Sequence, residues 1–78
     1  MKFKLKDYHI SYKADLIRNL NTYPNKHAFE VVAEVAASTG CHILALMLFL
    51  RDIVGGSEAI NVKIEDIKKF YQISEIIL

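Results

Sequence analysis

The feature that most restricts this chain is a charge-free run, VAASTGCHILALMLFL, from Val35 to Leu50, closed by Glu34 and Arg51. It is shorter than the ~20 apolar residues a helix needs to span a bilayer. It also carries Ser38, Thr39, Gly40 and His42. The run therefore reads as buried core, and membrane insertion is not expected. Its second half, CHILALMLFLRDIV (Cys41–Val54), is apolar almost all round until Arg51. That is the pattern of a helix at the centre of a small bundle. Gly55–Gly56 ends it.

Around that helix there is room for one domain, residues 1–78. A chain this short buries only about 60% of its unfolded surface and is marginal alone. Yet 53% of its residues are hydrophobic, above the usual range of roughly 45–50%. Apolar surface should remain once a single core is filled. A homodimer or a protein partner is the expected outlet, and Leu46, Phe49, Leu50, Ile76, Ile77 and Leu78 are the candidate interface residues.

The flanking elements follow from period and punctuation. KFKLK alternates as a half-exposed strand does, and YHISYK alternates again after a one-residue slip at Lys6–Asp7, as in a hairpin or bulge. A competing helical stripe runs Tyr8, Tyr12, Leu16, Leu20. The preferred reading is strand first, then a short helix near residues 14–21. Pro24 biases Tyr23 out of the helical region, and Thr22 or Asn25 could cap the next helix. HAFEVVAEVAAST (27–39) is amphipathic, with His27, Glu30, Glu34 and Ser38 on one side and Phe29, Val32, Val35 and Ala36 on the other. Gly40 is a candidate stop, although the helix could also run through it. Ile60 and Val62 in SEAINV suit a short strand. KIEDIKKFYQ (63–72) is helical, with Ile64, Ile67 and Phe70 or Tyr71 facing inward. The expected fold class is mainly α: a small helical domain with a short N-terminal β element, helix-turn-helix-like.

Nothing in this set of residues assembles a catalyst. Cys41 and His42 are adjacent, and adjacent side chains on a helix diverge by about 100°. His9, His27 and His42 lack zinc spacing, with one cysteine to join them. Glu30 and Glu34 read as a solvated stripe. Gly55–Gly56 lacks the Lys-Ser/Thr of a phosphate loop. No enzyme activity, metal or cofactor is expected. The single cysteine forbids an internal disulfide, MKFKLKDYHI lacks the apolar core of a signal peptide, and a cytoplasmic location is expected.

Charge is near balance at +1 overall but uneven. Residues 1–27 carry six Lys/Arg against Asp7 and Asp15. Residues 28–62 carry Arg51 against Glu30, Glu34, Asp52 and Glu58. Any nucleic-acid affinity would come chiefly from Lys2, Lys4, Lys6, Lys13 and Arg18, which suit phosphate contacts. Lys68 and Lys69 stand beside Phe70 and Tyr71, an arrangement that could imitate a base-stacking platform. The other reading puts Phe70 in the core with Tyr71 at its margin.

Residues 41–75 have one further property. CHILALMLFLRDIV, then INV, then KIEDIKKFYQIS follow the order first helix, short strand, second helix and turn, and so resemble winged-helix and related helix-turn-helix domains. The resemblance implies a recognition helix after the turn, inserted in the major groove. Lys63 stands where a Ser or Thr cap is usual and Gln72 where the turn glycine is usual. Only SEIIL follows. Taken together, the sequence favours a small regulatory DNA-binding protein acting as a dimer. The alternative is a protein-interaction module (inhibitor, adaptor or assembly subunit) using an apolar helix or the C-terminal tail.

Overall fold

The computed structural model describes residues 1–78. Four helices and two short strands follow in the order β1 (Lys2–Lys4), α1 (Ser11–Thr22), α2 (Ala28–Thr39), α3 (Ile43–Val54), α4 (Glu58–Phe70) and β2 (Glu75–Ile77), with a single 3-10 turn at Leu5–Asp7. The domain is mainly α with a short N-terminal β element.

α3 is the axis. Every residue from Leu44 to Leu50 is buried, which is why its sequence is apolar on all sides. α1, α2 and α4 each pack against it. Gly55 ends it in the left-handed region at φ 81, and Gly56 donates its amide to the Arg51 carbonyl at 2.9 Å. α2 contributes Val31, Val32 and Val35 to the core and stops at Gly40, φ 75, so the helix does not run through that residue. No helix is long and apolar enough to cross a membrane.

Three local expectations are corrected. The Tyr8–Lys13 segment is not a second strand: Lys6–Asp7 lie in the 3-10 turn and α1 begins at Ser11. The i, i+4 stripe prevails because Leu16 is fully buried and Tyr12 and Leu20 pack against the core. Residues 60–62 are not a strand but part of α4, across its first and second turns. There Ile60 and Ile64 are buried while Val62 is 57% exposed, so the apparent alternation of Ile60 and Val62 marks no second face. The cap of α2 is the His27 side chain rather than Thr22 or Asn25.

A fourth correction concerns the end of the chain. SEIIL does not begin a helix; Glu75–Ile77 is a strand, parallel to β1, in the register Lys2↔Glu75, Phe3↔Ile76, Lys4↔Ile77. Gln72, at φ 56, turns the chain out of α4, and Ile73 donates its amide to the Lys68 carbonyl at 2.9 Å. Ser74 then ties to Met1, its amide to the Met1 carbonyl at 2.8 Å. Side chains alternate along a strand. Phe3, 3% exposed, and Ile76 therefore face the core, and Lys2, Lys4, Glu75 and Ile77 face outward.

The sixteen buried residues are all apolar, and no buried polar side chain lacks a partner. The interior therefore holds packing and no charged group for chemistry.

Candidate functional site

The basic side chains divide into two groups. Lys2 lies 3.8 Å from Glu75, Arg18 2.6 Å from Asp15, and Lys68 3.8 Å from Glu65, while Lys13 donates to Asp52. Lys4, Lys6 and Lys69 are exposed with no acid in ion-pair range. Exposed pairs contribute little stability, but each paired carboxylate weakens the positive field that a phosphate would meet. Lys6 also falls in the 3-10 turn, so it does not continue the outward row of Lys2 and Lys4 on β1. The seven cations do not converge on one strand face.

Three of the six candidate interface residues are out of reach. Leu46 and Leu50 are fully buried and Phe49 is 6% exposed, all inside the chain's own core. The all-round apolar pattern of α3 is explained by α1, α2 and α4, which enclose Leu44–Leu50. Ile76, Ile77 and Leu78 lie together on and beyond β2, where Ile76 packs against the core, Ile77 is half-buried on the outer side, and Leu78 is exposed.

The ribbon they belong to is unusual. It has two strands only, ordered β1–β2, so each strand keeps one unpaired edge. A row of free backbone N–H and C=O groups is a template for another strand. The two edges differ in chemistry. β1 carries Lys2 and Lys4 on its outward face, and lysine on an edge strand opposes further pairing. β2 carries Glu75, already beside Lys2, and then Ile76, Ile77 and Leu78. Isoleucine is a strong strand former.

Beside the ribbon's C-terminal end, a cavity of about 270 Å³ is lined by Leu5, Leu48, Phe49 and Leu78 together with Lys13, Arg51 and Asp52. That is at or below the lower limit of small-molecule sites, roughly 300–1,000 Å³.

A second surface feature was missed by the sequence. Phe70, expected inward, is 80% exposed, and Tyr71 instead packs over the His42 ring at 4.6 Å. Extending the stripe Ile60, Ile64, Ile67 by four residues reaches Tyr71, not Phe70. The two rings meet edge to face at 5.0 Å.

His42 sits among Phe3, Tyr8 and Tyr71, with centroids 5.2, 6.4 and 4.6 Å away. Its Nδ1 accepts the Leu44 amide at 3.0 Å, and burial pushes its pKa down. Cys41 is 5% exposed, and burial pushes its thiol up, away from the reactive thiolate. No three His, Cys, Asp or Glu side chains gather as a metal site would require.

Comparison with protein-family models, with curated proteins and with solved structures gives no match. The functional argument rests on the geometry.

Proposed function

We propose that this chain is a protein-interaction module that associates, through the open edge of β2, with a second copy of itself. The observation that carries the reading is the contrast between the two strands: β1 turns Lys2 and Lys4 outward, whereas β2 turns Ile77 outward beside Glu75. Pairing β2 antiparallel with its copy is a two-fold, self-complementary contact. It extends the sheet from two strands to four, β1–β2–β2′–β1′. A two-stranded pair is marginal in water, and three or more strands over an apolar face are self-supporting. Strand addition draws its affinity from main-chain hydrogen bonds and its selectivity from the alternate side chains. Leu78, exposed just beyond β2, adds apolar surface at the end of that edge.

The test is sedimentation velocity over a concentration series, with Ile77→Lys as comparator. Ile77 faces outward, so a lysine there guards the edge without entering the core. Self-association of the parent chain and a monomeric I77K protein with unchanged circular dichroism are expected. A parent chain that stays at its 8.9 kDa monomer mass at every concentration sinks the proposal.

A second reading, the regulatory DNA-binding protein, draws support from Phe70. An exposed ring beside Lys69 has the composition of a base-stacking platform. Anisotropy of a labelled duplex and a labelled single strand at about 50 and about 200 mM salt separates the readings, since phosphate contacts weaken steeply over that range. Binding that is lost in Phe70→Ala would favour nucleic acid.

A further inference from the structure

Each of the three histidines stands at the start of a helix and turns Nδ1 back onto the backbone. The Nδ1 of His9 accepts the Ser11 amide at 3.0 Å, that of His27 the Phe29 amide at 3.2 Å, and that of His42 the Leu44 amide at 3.0 Å. His27 and His42 are the N-caps of α2 and α3, while α1 takes its bond from the residue before its N-cap Ile10. All three bonds span two residues. An imidazole nitrogen accepts only while it carries no proton, so each bond requires the neutral ring with its hydrogen on Nε2. Protonation turns each acceptor into a donor. It also places a positive charge at the positive end of the helix dipole.

We propose that the three histidine caps form an acid-sensitive latch: their protonation removes the side-chain bonds at the starts of α1, α2 and α3 together and loosens the fold.

No carboxylate engages the imidazolium ions; His9 and His27 face water, and His42 is half-buried. No Asp or Glu oxygen lies within 4.0 Å of a histidine nitrogen. Around His42 the facing groups are Phe3 of β1, Tyr8 before α1 and Tyr71 after α4, with Cys41 next in the chain; the titratable ones among them are neutral in mild acid. Aromatic rings attract a cation over their faces, but burial, the helix dipole and the lost cap all oppose it. α3 has no acid in its first turn. Near His27 stand Glu30 in the first turn of α2 and Lys63 of α4, whose ammonium lies 6.0 Å from the Phe29 ring beside the imidazole. Lys26 next to it is held by Glu34. Near His9 stand Asp7 and Lys6 of the 3-10 turn, and Lys13 is engaged by Asp52 of α3.

The sign follows from His42. Its folded-state pKa lies below the ordinary 6.5, so the unfolded chain takes the proton first. The stability it contributes is full above that value and is lost as pH falls below it. The latch is independent of the β2 edge and stands whether or not the chain self-associates.

Thermal unfolding between about pH 7.5 and about pH 5 tests it, because Asp and Glu stay largely ionised over that window while histidine changes charge. The melting temperature of the parent chain is expected to fall by at least ~5 °C. The comparator is the triple variant His9→Asn, His27→Asn, His42→Asn, in which Oδ1 replaces Nδ1 as a cap acceptor that does not titrate. It is expected to hold its melting temperature within ~2 °C over the same window. A parent chain that melts at one temperature throughout, or a triple variant that falls as far as the parent, overturns the proposal. Should the triple variant fail to fold, imidazole nitrogen NMR of the parent chain decides. Three Nε2–H tautomers at neutral pH are expected, and a protonated Nδ1 on His27 or His42 overturns the latch.

Discussion

Phe3 and Ile76, at opposite ends of the chain, are register partners in the parallel ribbon, and both turn toward the core. The pair joins the N- and C-terminal segments to the same apolar interior and places Ile77 on the outer face opposite Lys4.

Truncating this contact should be costly. Phe3→Ala removes a ring that is 3% exposed and packs on Tyr8 and His42. A loss of about 3–4 kcal/mol is expected from large-to-small core substitutions. Urea denaturation monitored by circular dichroism measures it. A loss below about 1 kcal/mol would show that the ribbon is not anchored through Phe3.

Gln72 holds a left-handed conformation at φ 56 that side chains other than glycine adopt at a cost. Gln72→Gly should therefore raise stability by about 0.5–1 kcal/mol, since the relieved strain outweighs the added freedom of the unfolded chain. The readout is the denaturation midpoint at constant slope. A lower midpoint would contradict the backbone geometry at the end of α4.

The Lys13 ammonium holds the Asp52 carboxyl below its ordinary value of 3.8, first by a hydrogen bond and then by its charge. The stability it adds is present above that value and is lost as pH falls through the lower folded-state value. Carboxyl NMR titration should show Asp52 ionising below 3.8 in the parent chain and closer to it in Lys13→Ala. Identical titrations would mean that the α1–α3 ion pair does not persist in solution.

Phe70 is 80% exposed and touches Tyr71 alone among the aromatic rings. Phe70→Ala should change stability by less than about 0.5 kcal/mol, as surface substitutions do. It should leave self-association through β2 intact. A loss of dimer in this variant would move the interface from the ribbon to the end of α4.

Local pattern carried most of the helices and little of the ribbon. α2 and α3 were legible because each has a glycine stop and, respectively, one apolar face and a wholly apolar surface. α1 and the start of α4 were misread where two periods coexist over a few residues. Tyr8, Ile10 and Tyr12 alternate as in a strand, and Tyr8 and Tyr12 also open a helical stripe. Burial of Leu16 and Ile60, a tertiary effect, decides between them. The β1–β2 pair joins the two ends of the sequence, so nothing near SEIIL announces its partner. The helix-turn-helix resemblance implies a recognition helix at that place, for which SEIIL is too short, and offers no strand. Leu46, Phe49 and Leu50 were legible as apolar but not as enclosed, because enclosure depends on how many neighbours reach α3.

The central claim is that the open edge of β2 receives a second copy of the same strand. Isotope-filtered NMR on a mixture of labelled and unlabelled chains tests it most directly. Inter-chain contacts between the α-protons of residues 75–77 in antiparallel order are the result expected. Inter-chain contacts confined to Phe70 and Tyr71, or none at concentrations where the chain is dimeric, would contradict it.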